Sequence, residues 1–130
     1  MNPLIVIDLQ GVLEPVRCPS KQKAILVFLY LRKKYHDAVS LKELSLLFTI
    51  RPDVLSREFK KQYGVGPLRF VRILRVEEAQ RLLGQGSFTI KEICYQVGFS
   101  NPQAFCKVFK RLTLFSPTAY REYTSRSSQV

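Results

Sequence analysis

Two stretches of this chain repeat one pattern, and that repeat constrains the fold more than any other feature. Residues 40–63 read SLKELSLLFTIRPDVLSREFKKQY, and residues 89–120 read TIKEICYQVGFSNPQAFCKVFKRLTLFSPTAY. Each opens on a hydroxyl residue three positions before a glutamate, Ser40 with Glu43 and Thr89 with Glu92. This is the capping-box pattern, in which each side chain satisfies a free backbone N–H. Leu41, Leu44 and Phe48 follow at helical spacing, and Ile90, Ile93 and Val97 repeat it. A turn comes next, at residues 49–51 in the first stretch and around Gly98 in the second, where glycine takes a positive φ without cost. A second amphipathic helix closes each unit. Pro52 suits the first turn of a helix ending near Tyr63. Ser100 and Gln103 form a third capping-box pattern, ahead of a helix over residues 103–112. Thr89 aligns with Ser40, but Phe109-Lys110-Arg111 aligns with Phe59-Lys60-Lys61, so the second turn is one residue longer.

The expected fold class is therefore all-α: two helix-turn-helix subdomains joined by a long linker helix, about seven helices in all. Ser20 is expected to cap a helix over residues 21–34, whose apolar face holds Ala24, Ile25, Phe28, Leu29 and Leu31. Pro67 opens the linker helix, ended by Gly84 and Gly86; about 17 residues at about 1.5 Å each span roughly 25 Å. Ser116 and Pro117 start a last helix through Tyr123. Residues 4–9, LIVIDL, read as a short strand, followed by a loop punctuated by Gly11, Pro15 and Pro19. A lone strand must pack on the domain, pair with a partner, or be a remnant of something longer. The expected division is residues 1–19 as an N-terminal strand-like linker segment and 20–66 as the first subdomain. Residues 67–84 are the linker helix, 85–123 the second subdomain and 124–130 a flexible tail.

Charge narrows the class of partner. The chain of 130 residues carries 21 Lys+Arg against 10 Asp+Glu, a formal net charge of +11. A bias of that size points to a polyanion: DNA, RNA or an anionic membrane. No stretch approaches the roughly 20 apolar residues of a membrane span. The cysteines, Cys18, Cys94 and Cys106, are odd in number and lack CxxC spacing, which argues against a disulfide framework or a zinc site. They fit a reducing compartment, so a cytoplasmic protein with no metal and no cofactor is expected.

Paired helices of this kind read double-stranded DNA: the first braces the second, and the second enters the major groove. The brace must approach closely, and the small residues Ser45 and Cys94 hold equivalent positions for it. In the second unit Phe105, Phe109 and Leu112 face inward, leaving Gln103, Cys106, Lys107, Lys110 and Arg111 for the groove or its rim. In the first, Leu55 and Phe59 face inward and Asp53, Ser56, Arg57, Lys60 and Lys61 face out. Arg57 and Lys107 can donate to guanine, Gln103 can pair with adenine, and Ser56 suits several base edges. Lys60, Lys61, Lys110 and Arg111 lie further along and suit phosphates. Asp53 either accepts from cytosine or favours the helix N-terminus electrostatically. Glu77 and Glu78 are adjacent and so point apart on a helix, which suits a solvated or salt-bridged face, not a catalytic pair. His36 reads as a surface residue, Cys94 as a packing residue, and Tyr120 as an anchor for the last helix.

The spaced run Ile90-x-Glu92-Ile93-Cys94-x-x-x-Gly98-Phe99-Ser100, then Phe105, Phe109-Lys110, Ser116-Pro117 and Tyr120-Arg121, resembles the DNA-binding domain of the AraC/XylS family of bacterial transcription regulators. Phe59-Lys60-Lys61 with Gly64, and Arg75 with Ala79 and Leu82-Leu83, extend the resemblance to residues 21–123. It implies two lobes joined by the long helix, two recognition helices in successive major grooves, and recruitment of RNA polymerase, usually as an activator. It places base reading on Asp53, Ser56, Arg57, Gln103, Ala104, Cys106 and Lys107. Lys107 stands where arginine is frequent, which loses a rigid two-pronged donor. Thr49 stands where glycine is usual, and with Asp53 this suggests that the first unit reads sequence weakly. The resemblance leaves open a stand-alone regulator or the C-terminal part of a larger one, and a monomer or a dimer formed outside this domain. The same module also occurs fused to DNA-repair alkyl-transfer units; no cysteine here has an obvious activating partner, so no enzyme is expected. An interaction module acting through residues 4–9 is a further alternative.

Overall fold

The computed structural model describes residues 5–7, 13–15 and 19–127. Among these are seven helices and one short antiparallel ladder. The helices are α1 (Ser20–Lys34), α2 (Leu41–Phe48), α3 (Pro52–Tyr63), α4 (Pro67–Gln85), α5 (Ile90–Gln96), α6 (Pro102–Thr113) and α7 (Pro117–Ser127). The fold is all-helical in its class. Of the strand expected at residues 4–9, residues 5–7 are described and are extended with a partner, while residues 4, 8 and 9 lie outside the described residues. β1 (Ile5–Ile7) pairs with β2 (Leu13–Pro15) in the register Ile5↔Pro15, Val6↔Glu14 and Ile7↔Leu13. Pro15, expected in a loop, ends a strand, a position where its missing N–H is tolerated.

The described residues form two compact units. One takes those up to Arg32 together with Val39–Leu68; the other takes Lys33–Ala38 together with those from Arg69 onward.

The first unit is built on α1. Its buried stripe is Ala24, Val27 and Leu31, each with no exposed surface. The broader face expected there does not hold: Ile25 is 38% and Leu29 50% exposed. α1 is apolar on several sides, so spacing alone could not choose the stripe. Ring contacts tie α1 to the other two helices. Phe28 stacks on Tyr63 of α3 with centroids 4.3 Å apart, and Tyr30 meets Phe48 of α2 edge-on at 5.5 Å. Leu44, Leu55 and Phe59 complete the core; burying each such side chain contributes about 1.5–3 kcal/mol. Ser20 is not the cap of α1 but its first helical residue. The Pro19 carbonyl accepts from the Gln22 and Lys23 amides at 2.9 and 3.1 Å, so Pro19 holds the position before the helix that Ser20 was expected to hold.

The second unit packs the last part of α4, with Val76, Ala79, Leu82 and Leu83, against Ile93, Cys94 and Val97 of the α5 region and Phe99, Phe105 and Phe109. Tyr120 of α7 meets Phe109 edge-on at 5.6 Å, the anchor expected of it. The Arg121 guanidinium donates to the Phe88 carbonyl, tying α7 to the segment that leads into α5. α4 runs through Gly84 and leaves through Gly86, whose φ of +73° supplies the left-handed exit. α7 continues past Tyr123 to Ser127.

A candidate nucleic-acid interface built twice

Each unit holds a helix-turn-helix with the same internal clasp. In the first, the Ile50 N–H donates to the Ser45 carbonyl at 3.1 Å, and the Ser45 hydroxyl donates to the Ile50 carbonyl at 2.5 Å. In the second, the Phe99 N–H donates to the Cys94 carbonyl at 3.0 Å, and the Cys94 thiol lies 3.9 Å from the Phe99 carbonyl. The clasps are 49 positions apart, while the prolines opening the recognition helices, Pro52 and Pro102, are 50 apart. The extra residue of the second turn is therefore Ser100.

The turns bend differently. Thr49 adopts a left-handed φ of +51°. Its counterpart Gly98 has φ +109°, and a Cβ there would stand 2.7 Å from the His36 carbonyl oxygen and 2.9 Å from Arg75 Nε. Arg75 explains that crowding. Its Nε donates to the Tyr35 carbonyl at 2.7 Å, its Nη2 to the Asp37 carbonyl at 2.9 Å, and its guanidinium lies 5.5 Å from the Phe99 ring centre. Burial, and next the Arg72 charge, push the Arg75 pKa below its ordinary value. Sequence reasoning gave Arg75 no task; its position in the matched linker run was the one available signal.

The recognition helices start differently as well. In α6 the cap is Asn101, not Ser100. Asn101 Oδ1 accepts from the Gln103 N–H at 2.7 Å and the Ala104 N–H at 3.2 Å. Pro102 prefers the first helical position, which makes the residue before it the cap. In α3 the equivalent residue is Arg51, whose side chain caps nothing; its Nε lies 3.3 Å from Asp53 Oδ1. That exposed ion pair offsets part of the Asp53 charge, and sequence reasoning missed it. Both helices end alike, with Gly64 at φ +82° and Leu114 at φ +70° and the amides bonded to Lys60 and Lys110 carbonyls at 2.8 Å.

Between these ends the outer faces are open. Asp53, Arg57, Lys60 and Lys61 are exposed on α3, with Ser56 half-buried. Gln103, Ala104, Lys107, Lys110 and Arg111 are exposed on α6. Cys106 is turned further inward, half-buried against the core of its unit. Cys94 is wholly buried, and burial, then the neighbouring Cys106, raises its thiol pKa. Glu78 is held below the usual carboxylate range chiefly by its hydrogen bond from Arg81, and is the salt-bridged surface residue expected. Among the described residues no cluster of three or more His, Cys, Asp or Glu is placed to hold a metal ion, and no helix is long and apolar enough to cross a membrane.

Residues 44–123 match the model of a helix-turn-helix domain family. YisR of Bacillus subtilis (strain 168), an uncharacterized HTH-type transcriptional regulator, is 34% identical over 100 residues, covering 77% of this chain and 35% of that protein. YdiP of Escherichia coli (strain K12), with a similar description, is 32% identical over 95 residues, 73% of this chain and 31% of that protein. The chain thus spans about a third of the length of these curated relatives. Among solved structures, the DNA-binding domain of AdpA, a global transcriptional factor in complex with a target DNA, superposes with TM-score 0.76 at 28% identity, covering 83% of this chain and 98% of that one. The C-terminal domain of AraT, a response regulator from Geobacillus stearothermophilus, gives TM-score 0.73 at 26% identity, covering 83% of this chain and 88% of that one.

Proposed function

This chain belongs to the AraC/XylS family of helix-turn-helix transcription regulators, and from that premise we propose that it binds double-stranded DNA sequence-specifically, with α3 and α6 in successive major grooves. The observation that carries the reading is the repeated clasp, which in each unit leaves the recognition helix with one buried apolar face and one open basic face. Residues 20–66 and 85–123 act as the two readers and residues 67–84 as their connector. Arg57 and Lys107 donate to guanine, Gln103 pairs with adenine, and Ser56, Ala104 and Cys106 make shorter-range contacts to base edges. Lys60, Lys61, Lys110 and Arg111 meet phosphates and set the register. The AdpA domain's complex with a target DNA supports DNA as the partner. The regulator acts in the cytoplasm and recruits RNA polymerase as an activator.

Selection of bound sites from random DNA, followed by titration of variants, tests this. Gln103→Ala and Lys107→Ala each cost about 1–3 kcal/mol on the selected site and relax one base pair. Lys110→Ala weakens selected and random DNA equally and lowers the salt dependence. Identical behaviour of Gln103→Ala and Lys110→Ala on both DNAs would remove the distinction between reader and anchor. An unenriched selection would remove sequence-specific reading altogether.

A further inference from the structure

Within the second unit, Arg69 and Arg72 of α4 and Arg111 of α6 line one small cavity of about 210 Å³, together with Val108 and Leu112. A single water needs only about 10–15 Å³ of such space, so there is ample room for one phosphate group. Arg69 and Arg72 are three apart on a helix and so share a face. All three arginines are exposed, and among the described residues none has a carboxylate within ion-pairing distance. Three uncompensated guanidiniums around one space repel each other, and an anion placed among them relieves that repulsion. Val108 and Leu112, both half-buried, make the wall apolar, which weakens solvent screening of whatever sits there.

The geometry points to a phosphate cradle formed by Arg69, Arg72 and Arg111, which takes a backbone phosphodiester of the DNA bound by α6. α4 is then itself a DNA-contacting element as well as the connector between the readers. Guanidinium suits the task because its planar fork grips two phosphate oxygens at once, which an ammonium cannot do. Arg111 was already assigned to phosphate from its place on α6; Arg69 and Arg72 are the new assignments, and they rest on the DNA-binding reading above. They carry no base preference, since phosphate contacts position a protein without reading sequence.

The test compares the whole chain with Arg69→Gln/Arg72→Gln and Arg69→Lys/Arg72→Lys, on a selected site and on random duplex, across a range of salt. Circular dichroism checks that both variants fold. The Gln pair is expected to bind both DNAs roughly tenfold more weakly and to flatten the plot of log affinity against log salt by about 0.9, the loss of one phosphate contact. Base preferences stay unchanged, and the Lys pair recovers the slope but only part of the affinity. A Gln pair with the parent's affinity and slope, while Lys110→Ala loses both, overturns the cradle and leaves DNA binding standing. A shifted base preference in the Gln pair also overturns it. If the unmodified chain binds no DNA, the broader reading fails and the cradle falls with it.

Discussion

The two helix-turn-helix units share a clasp but solve the same two local problems with different residues. At the turn, the first forces Thr49 into a left-handed conformation in open surroundings, while the second uses Gly98 under a loop that leaves no room for a Cβ. At the start of the recognition helix, the first leaves its amides without a side-chain cap and pairs Arg51 with Asp53, while the second caps two amides with Asn101. The shared part is what fixes one helix across another. The variable part sets how rigidly the reading helix is presented, and on each count the second unit is the more firmly built. Its first turn also carries no acid, whereas α3 presents Asp53.

The largest effect that would break this comparison is at the turns. Gly98→Ala meets both a positive φ and the His36 carbonyl, so it is expected to cost about 3 kcal/mol or more. Thr49→Gly relieves a left-handed β-branched residue and is expected to change stability by about 1 kcal/mol or less, on the stabilising side. Urea unfolding of both variants decides the matter, and equal costs would mean that the turns are equivalent after all. Next come the caps. Asn101→Ala loses two bonds to helix amides and is expected to cost about 1–2 kcal/mol, while Arg51→Asn introduces a cap and is expected to gain about 0.5–1 kcal/mol. Should Arg51→Asn destabilise instead, the Arg51–Asp53 pair is worth more than exposed pairs usually are. The clasp itself comes last: Ser45→Ala removes one part-buried hydrogen bond and is expected to lower stability by about 0.5–1 kcal/mol in thermal melts, less than the loss at Gly98 or Asn101.

Much of this architecture was legible in the residues, for identifiable reasons. The caps at Ser40 and Thr89 (the reciprocal box closes only at Thr89, since Glu43 does not reach back to the Ser40 amide), the apolar spacing after them, and the buried Leu55, Phe59, Phe105 and Phe109 follow from local periodicity, which sequence states directly. The extra residue of the second turn was also visible, though its identity as Ser100 needed the two clasps. Other features depended on a choice between near-equal local options. Ser100 and Asn101 can both cap, and only the position of Pro102 decides. Ile25 and Leu29 compete with Val27 for the inner stripe of α1. Long-range bonds left no local trace: Arg75 reaches carbonyls 38 and 40 positions away, and Arg121 one 33 positions away. On the outer faces exposure agrees with the sequence except at Cys106 and Ser56, which are half-buried because each lies beside the inward stripe of its helix.

The loop held by Arg75 has a consequence for how this domain can be taken apart. Lys33–Ala38 belongs with the second unit, although the thirty residues Val39–Leu68 of the first separate it from Arg69. A fragment cut at Arg69 would keep α5, α6 and α7 yet strip the half-buried Arg75 of both its carbonyl acceptors and uncover Gly98. Shuffling recognition units among relatives by joining chains at the long helix would therefore transplant an incomplete module. A transferable second unit must bring those six distant residues with it, so recombination between readers is constrained by a stretch that belongs to neither recognition helix.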